Sequence, residues 1–287
     1  MPRRWLRKLL PLVLLVIAIL AGKAFWPIGD AHVYGGLPRA TDWLTQITTH
    51  NLGNPGFAVG YSELRASPLW VAYIARDPSN GPPLARPDYF SVDGRTLRRI
   101  DSDDYRNSGY NRGHLAPNYL ISRVYGEAAQ DATFRMTNIV PQKPRLNQLL
   151  WQRLEELEAD RLAPKYRQLW VMTGPIYGDQ PRTLRGGVAI PEAFYRIWVR
   201  EAADGTPHAI AFIVPQRVCG FEALQDFVVP VARVERLIGY DLLHALDDTL
   251  ERRISAGVSL EDWPLVANAP REARYGDRWK GQPCPYR

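Results

Sequence analysis

Five short runs of aromatic and β-branched residues, with no helical segment set regularly between them, are the strongest constraint on how this chain of 287 residues folds. Residues 68–75, 169–173, 189–191, 194–200 and 208–214 each have the length and composition of a strand. Helical spacing appears over 147–162, where Leu150, Trp151, Leu154 and Leu157 share a face, and again over 231–250. A parallel βαβ array would alternate the two kinds of segment. This chain does not, so the expected fold is α+β, with a mainly antiparallel central sheet and flanking helices. Hydrophobic residues at 46% and charged residues at 23% exclude a disordered, collagen-like or low-complexity chain. From about residue 255 Pro, Arg and Gly punctuate the sequence without periodicity, which predicts a body over 30–254 and an irregular tail over 255–287.

The first 29 residues have a different character. Arg3, Arg4, Arg7 and Lys8 precede an apolar stretch, Leu9 to Gly22, as in a signal sequence. Fourteen residues are short for a membrane span, but Ala24 to Ile28 extend the stretch, and no clean cleavage site follows. The segment therefore reads as a signal anchor or a signal peptide. Either leaves the basic flank in the cytoplasm and sends the body across the membrane, to a bacterial periplasm, anchored in the inner membrane, or beyond as a secreted protein. The segment also accounts for most of the net charge of +6: without its five bases, 31 remain against 30 acids. A basic pI is thus no argument for a polyanion-binding body, and any such site must be a local patch. The Gly-rich stretch over 30–38 suggests a linker or an entry loop. Cys219 and Cys284 would lie in an oxidising compartment, where a disulfide stapling the tail to the body and two unpaired core thiols both remain open. Two cysteines without a CxxC pattern argue against a cysteine-based zinc site.

The densest chemical information lies between residues 109 and 156. In Tyr110-Asn-Arg-Gly-His-Leu-Ala-Pro117, Arg112 and His114 fall on one side of an extended chain, offering a cation and a base together. Imidazole can take a proton from water near neutral pH, and guanidinium can fork onto a phosphate. The run 134–142 ends in Pro-Gln, and a helix is expected to start at Asn147. An Asn there suits an N-cap, yet its amide oxygen also suits hydrated Mg²⁺. Glu155 could hold metal-bound water; equally, Glu155, Glu156 and Glu158 could form the solvated face of an amphipathic helix. His32, His50, His208 and His244 lack metal-ligand spacing, which leaves His114 as the candidate base.

The ordered set Ser108-Gly-Tyr-Asn-Arg-Gly-His-Leu-Ala-Pro117, Thr137-Asn-Ile-Val-Pro-Gln142 and Asn147-x₃-Trp151-x₂-Leu154-Glu155 resembles the DNA/RNA non-specific endonuclease family. Later runs, among them Val171-Met-Thr-Gly-Pro-Ile-Tyr177 and Ala211-Phe-Ile-Val-Pro215, resemble that family's further landmarks in order. The resemblance implies a mixed α/β body with a ββα-metal finger. It implies His114 as general base, Asn147 as direct ligand of one hydrated Mg²⁺ (Mn²⁺ being an alternative), and Glu155 as the residue that positions metal-bound water. It further implies that Arg112 steadies charge on the phosphate and that Asn138 shapes and hydrogen-bonds the site. Two departures stand out. Asn111 occupies a position where the family usually has Asp, and Arg86, the expected phosphate-contacting base ahead of Phe90-Ser-Val-Asp93, is slightly offset.

The function expected on these grounds is a divalent-metal-dependent, sugar-non-specific endonuclease, cutting DNA and RNA to 5′-phosphate ends. The alternative is a non-catalytic extracytoplasmic protein that binds nucleic acid or serves its uptake. A phosphodiesterase for small esters or lipid head groups would need the same catalytic groups, but in a closed pocket. DNA and RNA are the expected substrates and the membrane an expected partner through the N-terminal segment. Homodimerisation and an inhibitor protein are left open.

Overall fold

The structure, a computed structural model, describes residues 32–286. The basic and apolar segment over 1–29 lies outside the described residues, among which no helix is long and apolar enough to cross a membrane.

In chain order the strands are β1 (Arg39–Ala40), β2 (Thr49–Asn54), β3 (Phe57–Ser62), β4 (Ser67–Ala75), β5 (Asn111–His114), β6 (Ile139–Gln142), β7 (Leu169–Ile176), β8 (Ala193–Glu201), β9 (Pro207–Pro215), β10 (Val228–Val229) and β11 (Tyr240–Asp241). Seven of them form one sheet in the order β10-β9-β8-β7-β4-β3-β2, antiparallel at every step. β5 and β6 form a separate antiparallel ladder, as do β1 and β11. Four of the expected strand runs are β4, β7, β8 and β9. The fifth supplies only an isolated bridge, Ala189 opposite Thr183, because Pro191 has no N–H to extend a ladder. β2 is polar and carried little strand signal; it is held by the tight turn into β3, in which Gly56 takes a φ of 81°.

Alternation along the strands gives the sheet two covered faces. Val59, Val71, Tyr73, Val171, Phe194 and Trp198 face the helical stretch over 146–166 together with Leu115 and Val140 of the β5–β6 region. Ala58, Trp70, Ala72, Met172, Tyr195 and Ile197 face the helices Val231–Ile238 and Asp248–Ala256. The single helix expected over 231–250 is thus two. Gly239, left-handed at φ 68°, donates its N–H to Glu235 O and stops the first, and β11 intervenes before Asp247 caps the second. On the other face the helix begins at Pro144, three residues earlier than expected. It runs on as a π-helical Leu146–Trp151, an α-helical Gln152–Leu157, a π-helical Glu158–Leu162 and an α-helical Ala163–Tyr166. Leu146, Leu150, Trp151, Leu154, Leu157 and Leu162 are all buried beneath it.

Of the two readings of 30–38, the entry loop holds: the stretch is packed where it is described. Tyr34 stacks edge-on against Trp170 with ring centres 4.9 Å apart, and His244 Nε2 meets Leu37 O at 2.8 Å. After residue 255 the chain is largely irregular, yet Trp263 and Val266 enter the same core as the 146–166 helix. Cys219 and Cys284 are bonded, with Cα atoms 5.2 Å apart, so the stretch is closed back onto the body.

Candidate active site

The β5–β6 ladder places the first groups. Arg112 lies opposite Pro141 and His114 opposite Ile139, so both side chains leave the same face of the ribbon. Between them Gly113 permits a close approach: a Cβ there would stand 2.0 Å from Gln142 Oε1. Asn138, immediately before β6, is fully buried. Its Oδ1 accepts from Ala116 N at 2.9 Å, and its Nδ2 donates to Ala116 O at 3.0 Å and Thr133 O at 2.9 Å. These bonds fix the turn that follows His114, so Asn138 shapes the site from behind and reaches no cleft surface. Asn111 opens β5 opposite Gln142 and likewise stands back from the cleft.

An open cleft of about 500 Å³ brings together Arg86, Arg112, His114, Asn147 and Glu155. Five of the six residues singled out in the sequence thus share one cavity, although they come from separate segments. His32, His50, His208 and His244 take no part in its lining.

His114 is packed against aromatic rings, with the Phe134 centre at 4.9 Å and the Phe90 centre at 5.7 Å. Its Nε2 is buried with no hydrogen-bond partner. Burial, assisted by the positive charge of Arg86, pushes the imidazole down to about 3, so the ring is neutral at physiological pH. Phe90 and Phe134 also support the two arginines. The Arg112 guanidinium lies 5.5 Å from the Phe90 centre and donates to Ser102 O at 3.1 and 2.7 Å; Arg86 lies 5.0 Å from the Phe134 centre. Sequence reading had used neither ring as a support for the site.

Asn147 is not an N-cap. It lies inside the π segment, and its backbone N–H already bonds Lys143 O at 2.9 Å, leaving the side chain to the cleft. Ideal α-helical winding would set Glu155 about 80° round the axis from Asn147. The wider π winding removes much of that rotation, and both side chains reach the same cavity.

Glu155, Glu156 and Glu158 have three different fates, none of them a solvated face. Glu158 is fully buried and accepts from Tyr73 Oη at 2.7 Å, Trp198 Nε1 at 2.7 Å and Arg196 Nη1 at 3.1 Å. Glu155 is a quarter exposed to the cleft, with Arg196 Nη2 at 3.7 Å. Burial raises its carboxyl, Arg196 opposes the rise, and Glu158 and Glu156 add to it. Glu156 turns aside to accept the backbone N–H of Arg274 at 3.0 Å. Arg196, itself fully buried, was missed in the sequence. The available signal was a charge at a core-facing position of β8, between Phe194 and Trp198.

The site residues suit a hard cation: Asn147 offers an amide oxygen and Glu155 a carboxylate on the same cavity wall. A separate carboxylate group with ligand-like spacing among the described residues, Glu235, Asp241 and Glu251, belongs to the elements covering the opposite sheet face.

Known proteins resemble this chain in sequence and fold. Residues 40–249 match the family model described as DNA/RNA non-specific endonuclease. Mitochondrial endonuclease G of Bos taurus is 34% identical over 155 residues, covering 49% of this chain and 50% of that protein. A nuclease of Nostoc sp. is 27% identical over 262 residues, covering 80% of this chain and 93% of its own. The chain spans about half the length of the endonuclease G relatives it matches. Among solved structures, the crystal structure of the EndoG/EndoGI complex, reported for the mechanism of EndoG inhibition, superposes with a TM-score of 0.62 at 26% identity. That match covers 69% of this chain and 87% of the other. With a matching model over most of its length, the chain belongs to the DNA/RNA non-specific endonuclease family.

Proposed function

We propose that this protein is a sugar-non-specific endonuclease that hydrolyses the phosphodiester backbone of DNA and RNA, leaving 5′-phosphate ends. The observation that carries this reading is the convergence of Arg86, Arg112, His114, Asn147 and Glu155 on one open cleft. A base, two guanidinium groups and oxygen donors on a surface open to a polymer suit backbone chemistry and give no means of reading bases. An open cleft also favours a polymer over the small esters that a closed pocket would select.

In this reading Arg112 and Arg86 hold the phosphate, and His114, neutral in its aromatic setting, takes the proton of the attacking water. The water oxygen bonds phosphorus as the bond to the 3′ oxygen breaks. The negative phosphate beside the ring offsets Arg86 and raises the basicity of His114 at the moment it is needed. Asn147 would hold a divalent cation, Mg²⁺ or Mn²⁺, directly and Glu155 would hold it through water, and the ion's charge would offset that on the leaving 3′ oxygen. Arg196 keeps the Glu155 carboxylate oriented. Export across a membrane is part of the proposal, supported by the basic and apolar N-terminal sequence and by a disulfide that suits an oxidising compartment.

The test is incubation of the chain with circular plasmid and with RNA, with Mg²⁺ or with chelator, beside His114→Ala. Nicking of the circle and breakdown of RNA, abolished by chelator and reduced about 10²- to 10⁴-fold in the variant, are expected. Intact nucleic acid with every divalent ion would overturn the reading in favour of a binding or uptake protein.

A further inference from the structure

We propose that the segment after residue 255 supplies a base-stacking subsite at the edge of the cleft, in which Tyr275 takes an unpaired nucleobase, so that single-stranded nucleic acid binds better than duplex. The proposal rests on the nuclease reading of the cleft and extends it to the form of the substrate.

This segment lies beyond the residues matched by the family model, which end at 249. It is strapped along the helix that carries Asn147 and Glu155. Arg153 donates through Nε to Pro270 O at 2.8 Å, Glu156 accepts from Arg274 N at 3.0 Å, and the Arg274 guanidinium pairs with Asp160. Further on, Arg145 donates to Gln282 O at 3.0 Å and to Pro283 O at 2.9 Å, next to the bond from Cys284 to Cys219. Anchors thus stand on both sides of Arg274 and Tyr275, which line the same cleft as His114.

Tyr275 is 68% exposed there, and Tyr119, also in the lining, is 40% exposed. The Arg274 guanidinium lies 5.8 Å from the Tyr119 ring centre and Arg123 lies 5.1 Å from it. Exposed aromatic faces interleaved with guanidinium groups, beside the phosphate-holding Arg86 and Arg112, are the physical make-up of a single-strand binding surface. A duplex keeps its base faces stacked on one another and offers such a wall only phosphates. An unpaired base offers a free π-face, so Tyr275 adds affinity for single strands alone.

The experiment measures binding in chelator, so that no cleavage is needed, by fluorescence anisotropy of labelled probes about twelve nucleotides long: oligothymidylate, an abasic strand of equal length, and a duplex. Tyr275→Ala should weaken oligothymidylate binding roughly 5- to 100-fold and leave the abasic strand and the duplex within about 2-fold, while Tyr275→Phe keeps the affinity of the unaltered protein. A Tyr275→Ala protein that binds oligothymidylate normally would overturn the proposal. So would equal weakening of all three probes, which would make the segment a brace and not a subsite, or failure of the unaltered protein to prefer oligothymidylate over the abasic strand. Because these readings involve no turnover, loss of the nuclease reading through absent cleavage would show separately, in the plasmid assay.

Discussion

His114, in the lining of the cleft, and Arg196, behind Glu155, are both largely buried, and each has a measurable signature. His114 titrates near 6.5 in an unfolded chain but at about 3 in the fold. Between those values the unfolded state binds the extra proton, so this residue's contribution to stability is complete above about 6.5 and is lost as pH falls towards 3. Urea unfolding at pH 7 and near pH 4.5 should show a smaller acid loss in His114→Asn than in the unaltered protein; an identical loss would refute the burial argument. Burial pushes His32 down as well, so the comparison must be made with the variant and not read from a single curve. Arg196 answers for the two carboxylates above it. Arg196→Met would leave Glu158 buried and short of its cation, at a cost of about 3–5 kcal/mol in chemical denaturation. A loss below about 1 kcal/mol would mean that the Tyr73 and Trp198 hydrogen bonds suffice alone.

Among the elements, the β5–β6 ladder depends on one position without a side chain. Gly113→Ala sets a methyl against the Gln142 amide in a buried pair of strands. It should lower stability by about 1–3 kcal/mol and reduce plasmid cleavage, since Arg112 and His114 flank it on the same strand. Much at this scale was legible in the sequence: β4, β7, β8 and β9 announce themselves by aromatic and β-branched runs, and Arg112 with His114 by spacing of two. The rest was hidden for identifiable reasons. Strand β2 is polar because hairpin geometry, not composition, holds it. The break at Gly239 lies within an apolar pattern that a continuous helix would also satisfy. The π winding that aligns Asn147 with Glu155 leaves no mark on a hydrophobic pattern, and Glu158 looks solvated until Tyr73, Trp198 and Arg196 are known to meet it. Asn147 and Glu155 could be assigned only through the motif they share with a family.

In the whole molecule, the disulfide joins residues 65 positions apart and holds the strap beside the cleft. Replacing Cys219 and Cys284 together by Ser should lower stability by about 2–4 kcal/mol and speed tryptic cleavage at Arg271, Arg274 and Arg278. Unchanged digestion would show that Arg145 and Arg153 hold the strap without it. The two walls of the cleft also differ in how far along the chain their contacts reach. The wall carrying Arg112 and His114 closes on β6 within about thirty residues, whereas Arg153 to Pro270 spans 117 and Arg145 to Pro283 spans 138. Long-range contacts require closure of larger loops and form later in folding. The expected order is therefore the histidine-bearing ladder first and docking of the strap last, as the step that completes the cleft.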